Sequence, residues 1–208
     1  MDTIKLIGYV LIGYAIYQKL VEVNRSFSEI AYKTPSWNHP QTGERWQGEI
    51  ATVDTVEDRI KHIADLIDEG KEDVMIRQLT TDIIKNVRER DYEGDLKAIF
   101  KWMRSNIRYT HDPHELDTYQ RARRTVDMKA GDCDDMSILI GAMSQSVGYP
   151  IRLKVVAFEA DEYEHIYPLV GIPPSVPRRW IALDATVNNP VGWEVPKGEV
   201  SASKIFEI

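Results

Sequence analysis

The chain has a single cysteine, Cys133, among its 208 residues. One cysteine cannot form an internal disulfide, so the fold does not depend on an oxidising compartment. With no Cys-x-x-Cys pair and no His/Cys cluster, there is no basis for structural zinc. Positive charge is also short. Lys and Arg total 26 against 33 Asp and Glu, a formal net charge of −7, which argues against general nucleic-acid binding. A fully apolar run long enough to span a bilayer is missing, and Ile4 to Val23 reaches that length only if Lys5, Lys19 and Glu22 extend their charged ends to the interface. Leu6 to Tyr17 is apolar throughout, but it falls short of the ~20 residues that a spanning helix needs. No Ala-x-Ala cleavage pattern is present, and Asp2 weakens the basic start that a signal peptide requires. What is present suits one compact domain plus an extension, because a hydrophobic fraction of 43% supports a real core.

The chain is organised around Gly131-Asp132-Cys133-Asp134-Asp135-Met136-Ser137. The small, apolar run Ile138-Leu139-Ile140-Gly141-Ala142-Met143 then reads as a buried helix, stopped by Gly148-Tyr149-Pro150. Gly131 and Asp132 are turn and cap residues, which puts Cys133 at or just inside the helix N-terminus. The helix dipole there favours thiolate, while Asp132, Asp134 and Asp135 oppose it by like charge, so a reactive thiol needs a base close by. A lone cysteine at such a place is also what a buried structural cysteine looks like. The residues downstream weigh against that bland reading. Ile151 to Phe158 alternates like a strand, Tyr163 to Tyr167 is a second strand containing His165, and Arg179 to Asp184 is a third ending on an aspartate. Cys133, His165 and Asp184 in that order are the parts of a Cys-His-Asp triad.

At these residues the chain resembles the transglutaminase-like superfamily, which has a papain-like fold. The resemblance rests on Gly131-Asp132-Cys133-Asp134-Asp135, His165-Ile166-Tyr167 and Trp180-Ile181-Ala182-Leu183-Asp184-Ala185-Thr186, and on the helix Ile99 to Tyr109 leading toward the cysteine loop. It covers roughly the second half of the chain, and the Gly-Asp-Cys-Asp-Asp form looks most like bacteriophage and prophage versions. It implies an α+β fold in which a Cys-bearing helix packs on a small antiparallel sheet, preceded by a helical N-terminal half. It also implies acyl transfer through a thioester, without cofactor or metal, on a protein or peptide substrate. Water resolving the thioester makes a peptidase or amidase, which is the reading taken; a lysine amine makes a cross-linking transglutaminase. The competing class is a non-enzymatic virion or membrane component that retains the fold. Two departures from the pattern stand out. Pro168 follows the His motif, which predicts an edge strand or one that ends early, and Ala185 stands where proline often follows the aspartate.

Four regions are expected: an apolar N-terminal helix (1–25), a linker (26–50), a helical region (51–93) and the transglutaminase-like domain (94–208). Residues 4–23 are expected to form a helix that does not fold back on the domain, with a bilayer as first host and a virion or protein partner as the alternative; in the last case the protein is cytoplasmic. Trp37 and Trp46 are unusual for a free linker and predict packing. Helices are predicted from Thr55 to Glu69 with Gly70 as the stop, from Asp73 to Arg90 with Leu79, Ile83 and Val87 inward, and from an Asp95 cap to Asn106. The basic face Lys97, Lys101, Arg104 and Arg108 and the run Arg121 to Arg124 read as solvated surface, and His62 and the segment His111 to Glu115 as ordinary surface and loop. Trp102, Asn106 and Tyr109 are the upstream candidates for a second oxyanion donor, beside the Cys133 backbone N–H.

Overall fold

The computed structural model describes residues 36–38, 45–47, 55–112, 118–159 and 163–208. The expected apolar helix at 4–23 and most of the expected linker lie outside the described residues. The chain divides into two units, Met1–Thr52 and Val53–Ile208. In the first, strands β1 (Ser36–Asn38) and β2 (Arg45–Gln47) pair antiparallel, with Trp37 opposite Trp46 in the register.

The second unit is α+β. Helix α1 (Val56–Glu72) starts where Thr55 accepts the Asp58 N–H at 3.1 Å. Gly70 does not stop it. The helix runs on to Glu72, and a Cβ at Gly70 would lie 2.7 Å from that of Ala142 and 2.9 Å from that of Ala122, so the glycine marks a close approach instead. Asp73 turns the chain into α2 (Val74–Ile84) by accepting the Met75 N–H at 2.7 Å. This second helix is shorter than predicted, and its inward face is centred on Ile76 and Thr80, with Leu79, Ile83 and Val87 only half-buried. Thr80 enters the core because its hydroxyl donates to the Ile76 carbonyl at 2.8 Å. Helix α3 (Tyr92–Asn106) is capped by Asp91, not Asp95. Asp95 instead accepts the Tyr149 hydroxyl at 2.6 Å, tying α3 to the end of the cysteine helix.

A short parallel pair, β3 (Arg108–Tyr109) with β4 (Ala130–Gly131), flanks α4 (Ala122–Met128) and leads into α5 (Cys133–Ser146). Helix α5 is the centre of the fold. Cys133 through Ser144 are all buried, because α1 covers one side with Ile63 and Ile67 and the sheet covers the other. An all-round apolar helix is stable only when surrounded in this way.

The sheet is antiparallel in the order β7-β6-β5-β8, from β5 (Ile151–Ala157), β6 (His165–Ile172), β7 (Arg179–Ala182) and β8 (Ala202–Glu207). One expectation is corrected here. Strand β6 neither lies at an edge nor ends at Pro168, since it pairs on both sides and continues to Ile172. The proline is tolerated because its backbone faces the β7 side just where that ladder stops. Leu169 pairs with Ala182, and beyond it the Pro168 carbonyl still accepts the Leu183 N–H at 3.0 Å, so one ladder donor is lost at the frayed end only. The C-terminal tail, for which the sequence offered no reading, supplies the fourth strand: β8 pairs along β5 from Arg152–Glu207 to Ala157–Ala202.

Candidate active site

The cysteine loop is built to hold Cys133 at the first turn of α5. Asp132 caps the helix, accepting the Asp134 N–H at 3.0 Å and the Asp135 N–H at 3.2 Å through Oδ1. Asp135 closes the reciprocal half of the capping box by accepting the Asp132 N–H. Gly131 must be glycine for this closure, since a Cβ there would sit 2.5 Å from the Asp135 Cβ. Asp135 also takes the Gln120 N–H at 2.7 Å and its side-chain amide at 2.5 Å, which fixes the segment before α4 against the cap.

Cys133 is buried at 7% exposure. Burial pushes its thiol up, and Asp134 and Asp132 push the same way; Arg59 and the Ile166 backbone N–H oppose them without prevailing. The resting group is therefore a neutral thiol, held so chiefly by burial. Burial and the neighbouring acids Asp134 and Asp135 push Asp132 itself up to about 8. Burial raises Asp135 to about 6 against the bonds from Gln120.

His165 opens β6, one residue before the Ile166 whose N–H faces the Cys133 sulfur and whose carbonyl accepts the Ser137 hydroxyl at 3.2 Å. His165 Nε2 lies 2.7 Å from Asp184 Oδ2. Asp184 follows β7 and is almost fully buried. Burial opposes its charge, but His165 and Thr186 hold its carboxyl below the ordinary range; the Thr186 hydroxyl donates to Oδ1 at 2.6 Å and its N–H at 3.1 Å. An ionised carboxylate only accepts, so Nε2 carries a proton, and in the neutral imidazole Nδ1 keeps the lone pair. The structure thus joins His165 to Asp184 directly and sets Cys133 against the backbone at the start of the histidine strand. No Cys133–His165 hydrogen bond occurs among the described residues.

Of the upstream donor candidates, Asn106 is committed to its own helix, its amide donating to the Trp102 carbonyl at 2.8 Å. Tyr109 stands opposite Gly131 in the β3–β4 register. Burial, then the charges of Cys133, Asp132, Asp134 and Asp184, push its phenol up to about 12, so it stays a hydrogen-bond donor. Asp132, Cys133 and Asp134 each place one ligating atom within 4.8 Å of the others. Asp132 is already the helix cap and Asp134 already pairs with Arg59, so the cluster acts on the thiol and does not form a metal cage. Three of the seven residues in the basic features pair with acids of the same chain, Lys97 with Glu93, Arg121 with Glu69 and Arg123 with Asp73. His62 packs edge-on against Tyr119, and Asp112 accepts the Thr118 hydroxyl at 2.7 Å.

The model of the transglutaminase-like superfamily matches residues 77–185, from α2 to just past Asp184. The chain belongs to that superfamily. No curated protein matches it in sequence. Among solved structures it is similar to a "Putative Cysteine Protease from Cytophaga hutchinsonii" at 16% identity, over 85% of this chain and 71% of the other, with a TM-score of 0.48. It is also similar to LapG of Legionella pneumophila at 15% identity, over 61% and 72%, with a TM-score of 0.43. A structure described as a TGase aligns at 15% identity over 71% of this chain and 38% of its own, with a TM-score of 0.37. The superfamily match includes Cys133, His165 and Asp184 but stops short of α1 and of β8.

Sequence reasoning missed three partners of the site: Arg59, Gln120 and Thr186. Thr186 lay within a quoted motif without a role, and its spacing of two from Asp184 is the signal of a local Asx-type bond. Arg59 and Gln120 carry no local signal.

Proposed function

We propose that the protein is a cysteine-dependent acyl-transfer enzyme that hydrolyses an amide or peptide bond, with Cys133 as nucleophile, His165 as proton shuttle and Asp184 as the group that orients His165. The observation that carries this reading is the 2.7 Å contact between His165 Nε2 and Asp184 Oδ2. It leaves Nδ1 as a base on the strand whose next backbone N–H faces the Cys133 sulfur. Because the thiol rests neutral, proton transfer and attack go together. Nδ1 takes the Sγ proton as sulfur bonds to the carbonyl carbon, and the Cys133 N–H holds the developing oxyanion, with Tyr109 as the second donor. The C–N bond then breaks and the amine leaves with the proton from His165. Water gives a proton to Nδ1 and adds to the thioester, and the thiol leaves with that proton as free acid is released. Water is always present, which favours hydrolysis over lysine cross-linking. The substrate class is a protein or peptide. Residues 4–23 are proposed to bring the enzyme to a membrane or virion surface.

The test is incubation with iodoacetamide and with a peptide amide electrophile, followed by mass spectrometry of the labelled residue. Labelling confined to Cys133 and lost in His165→Ala supports the reading; a Cys133 that never reacts in folded protein ends it. Faster joining of a glutamine donor to a lysine than release of free acid would establish cross-linking instead.

A further inference from the structure

Helix α1 lies upstream of the stretch that matches the superfamily, yet one of its side chains reaches both halves of the candidate site. Arg59 Nη2 lies 2.6 Å from Asp134 Oδ2, the residue after Cys133. Its Nη1 donates at 3.4 Å to the carbonyl of Tyr163, two residues before His165. Asp134 is 2% exposed and Arg59 20% exposed at the side chain, so this contact is shielded from water and from salt. The two contacts span sequence separations of 75 and 104 residues. A planar guanidinium offers donors in a fixed fork, so it can hold two acceptors in one geometry where a lysine ammonium cannot. The base of α1 is itself immobilised, with Ile60 and Ile63 buried in the core on the same helix.

We propose that Arg59 is a positioning residue for the reaction, a clamp from α1 that sets the cysteine end of α5 against the entry of the histidine strand. This rests on the reading of Cys133 and His165 as the reacting pair. The clamp acts in two ways. Through Asp134 and Tyr163 it fixes the approach of two elements that no covalent link joins. Through its charge it offsets part of the field that Asp132 and Asp134 impose on the sulfur. The groups facing Cys133 are Asp132 and Asp134 from its own helix end, Arg59 from α1, Tyr109 from β3 and the Ile166 N–H beside His165 from β6.

The experiment measures iodoacetamide labelling of Cys133 against pH in the full chain, for wild type, Arg59→Lys, Arg59→Met and the double variant Arg59→Met with Asp134→Asn. Arg59→Met is expected to slow labelling on the order of ten- to a hundredfold and to move its midpoint to higher pH. Arg59→Lys is expected to keep the midpoint near wild type, because the charge remains, but to recover only part of the rate, because one of the two tethers is lost. If Arg59→Met does not fold, the double variant takes its place, since removing both partners leaves no buried unpaired charge. Its midpoint is expected near or below wild type while its plateau rate stays low. A purely structural role would move neither the midpoint nor the Lys-against-Met ordering. Labelling of folded Arg59→Met or of the double variant within about twofold of wild type across the whole pH range would overturn the clamp. If wild-type Cys133 is itself unreactive, the catalytic reading falls and the clamp with it; a reactive wild type with unaffected variants removes the clamp alone.

Discussion

His165 Nε2 and Asp184 Oδ2 meet at 2.7 Å across the junction between β6 and the end of β7. Because the aspartate is also held by the Thr186 hydroxyl and N–H, its Oδ1 is occupied and its Oδ2 is aimed at the imidazole. The pair sets which ring nitrogen is free, and that is the chemical content of the site.

Replacing the members of the site should rank them. Cys133→Ala is expected to abolish thiol labelling and amide hydrolysis with the fold intact, and His165→Ala to do nearly the same. Asp184→Ala should leave a roughly hundredfold smaller loss, as for a group that orients without reacting. Asp184→Asn should be damaging by on the order of 10⁴, because an amide that donates to Nε2 forces the proton onto Nδ1. Single-turnover hydrolysis of a peptide amide measures all four, and an Asp184→Asn rate equal to wild type would show that the tautomer does not matter.

Tyr109→Phe keeps the ring beside Gly131 and removes only the hydroxyl. If the phenol holds the oxyanion, kcat should drop about 10²-fold with KM little changed. An unchanged kcat assigns the second donor elsewhere.

The cap predicts an unusual pH dependence of stability. The carboxyl of Asp132 titrates near 8 in the folded protein, because burial and neighbouring acids disfavour its charge, against about 3.9 when unfolded. Between those values the native state binds the extra proton, so stability falls as pH rises and levels off above about 8. Asp184, held low, acts oppositely, and its contribution is lost only as pH falls through its folded value. Asp132→Asn caps almost as well. It should flatten the decline in urea midpoint between about pH 5 and 8, whereas an unchanged slope would place the titrating group elsewhere.

Packing between α1 and α5 can be tested at Gly70. A methyl there meets the Ala142 Cβ at 2.7 Å, so Gly70→Ala should destabilise by about 1–3 kcal/mol even though alanine is the better helix former. Adding Ala142→Gly should recover part of the urea midpoint. No recovery would mean that the strain lies against Ala122 instead.

Residues 4–23 are proposed to seat in a bilayer. The full chain should float with anionic liposomes, and a truncated chain starting at Ser26 should not, with the same melting temperature for both. A sharp fall in melting temperature on truncation would make the segment part of the domain's own core.

The cysteine end of the site was legible in the residues because each of its devices is local. A glycine-aspartate turn, a cap and an apolar helix lie within a dozen positions, and capping obeys spacings that sequence displays directly. The order of His165 and Asp184 on alternating apolar segments was readable for the same reason, since strand periodicity marks them. Pro168 misled because strand rules see a missing donor but not which neighbour that donor would have faced; only the ladder between β6 and β7 decides that. The tail at Ala202–Glu207 has too little pattern to be read as a strand until β5 offers it an edge. Arg59 was invisible for the deepest reason. Nothing near it in the chain distinguishes it from other arginines of an amphipathic helix, and its meaning arises when folding brings Asp134 and Tyr163 to the same guanidinium. Sequence by itself determined which residue types stand at the candidate site, because a thiol, an imidazole and a carboxylate are properties of the residues themselves. Tertiary structure alone decided their protonation and alignment, because burial and distance between remote segments set both.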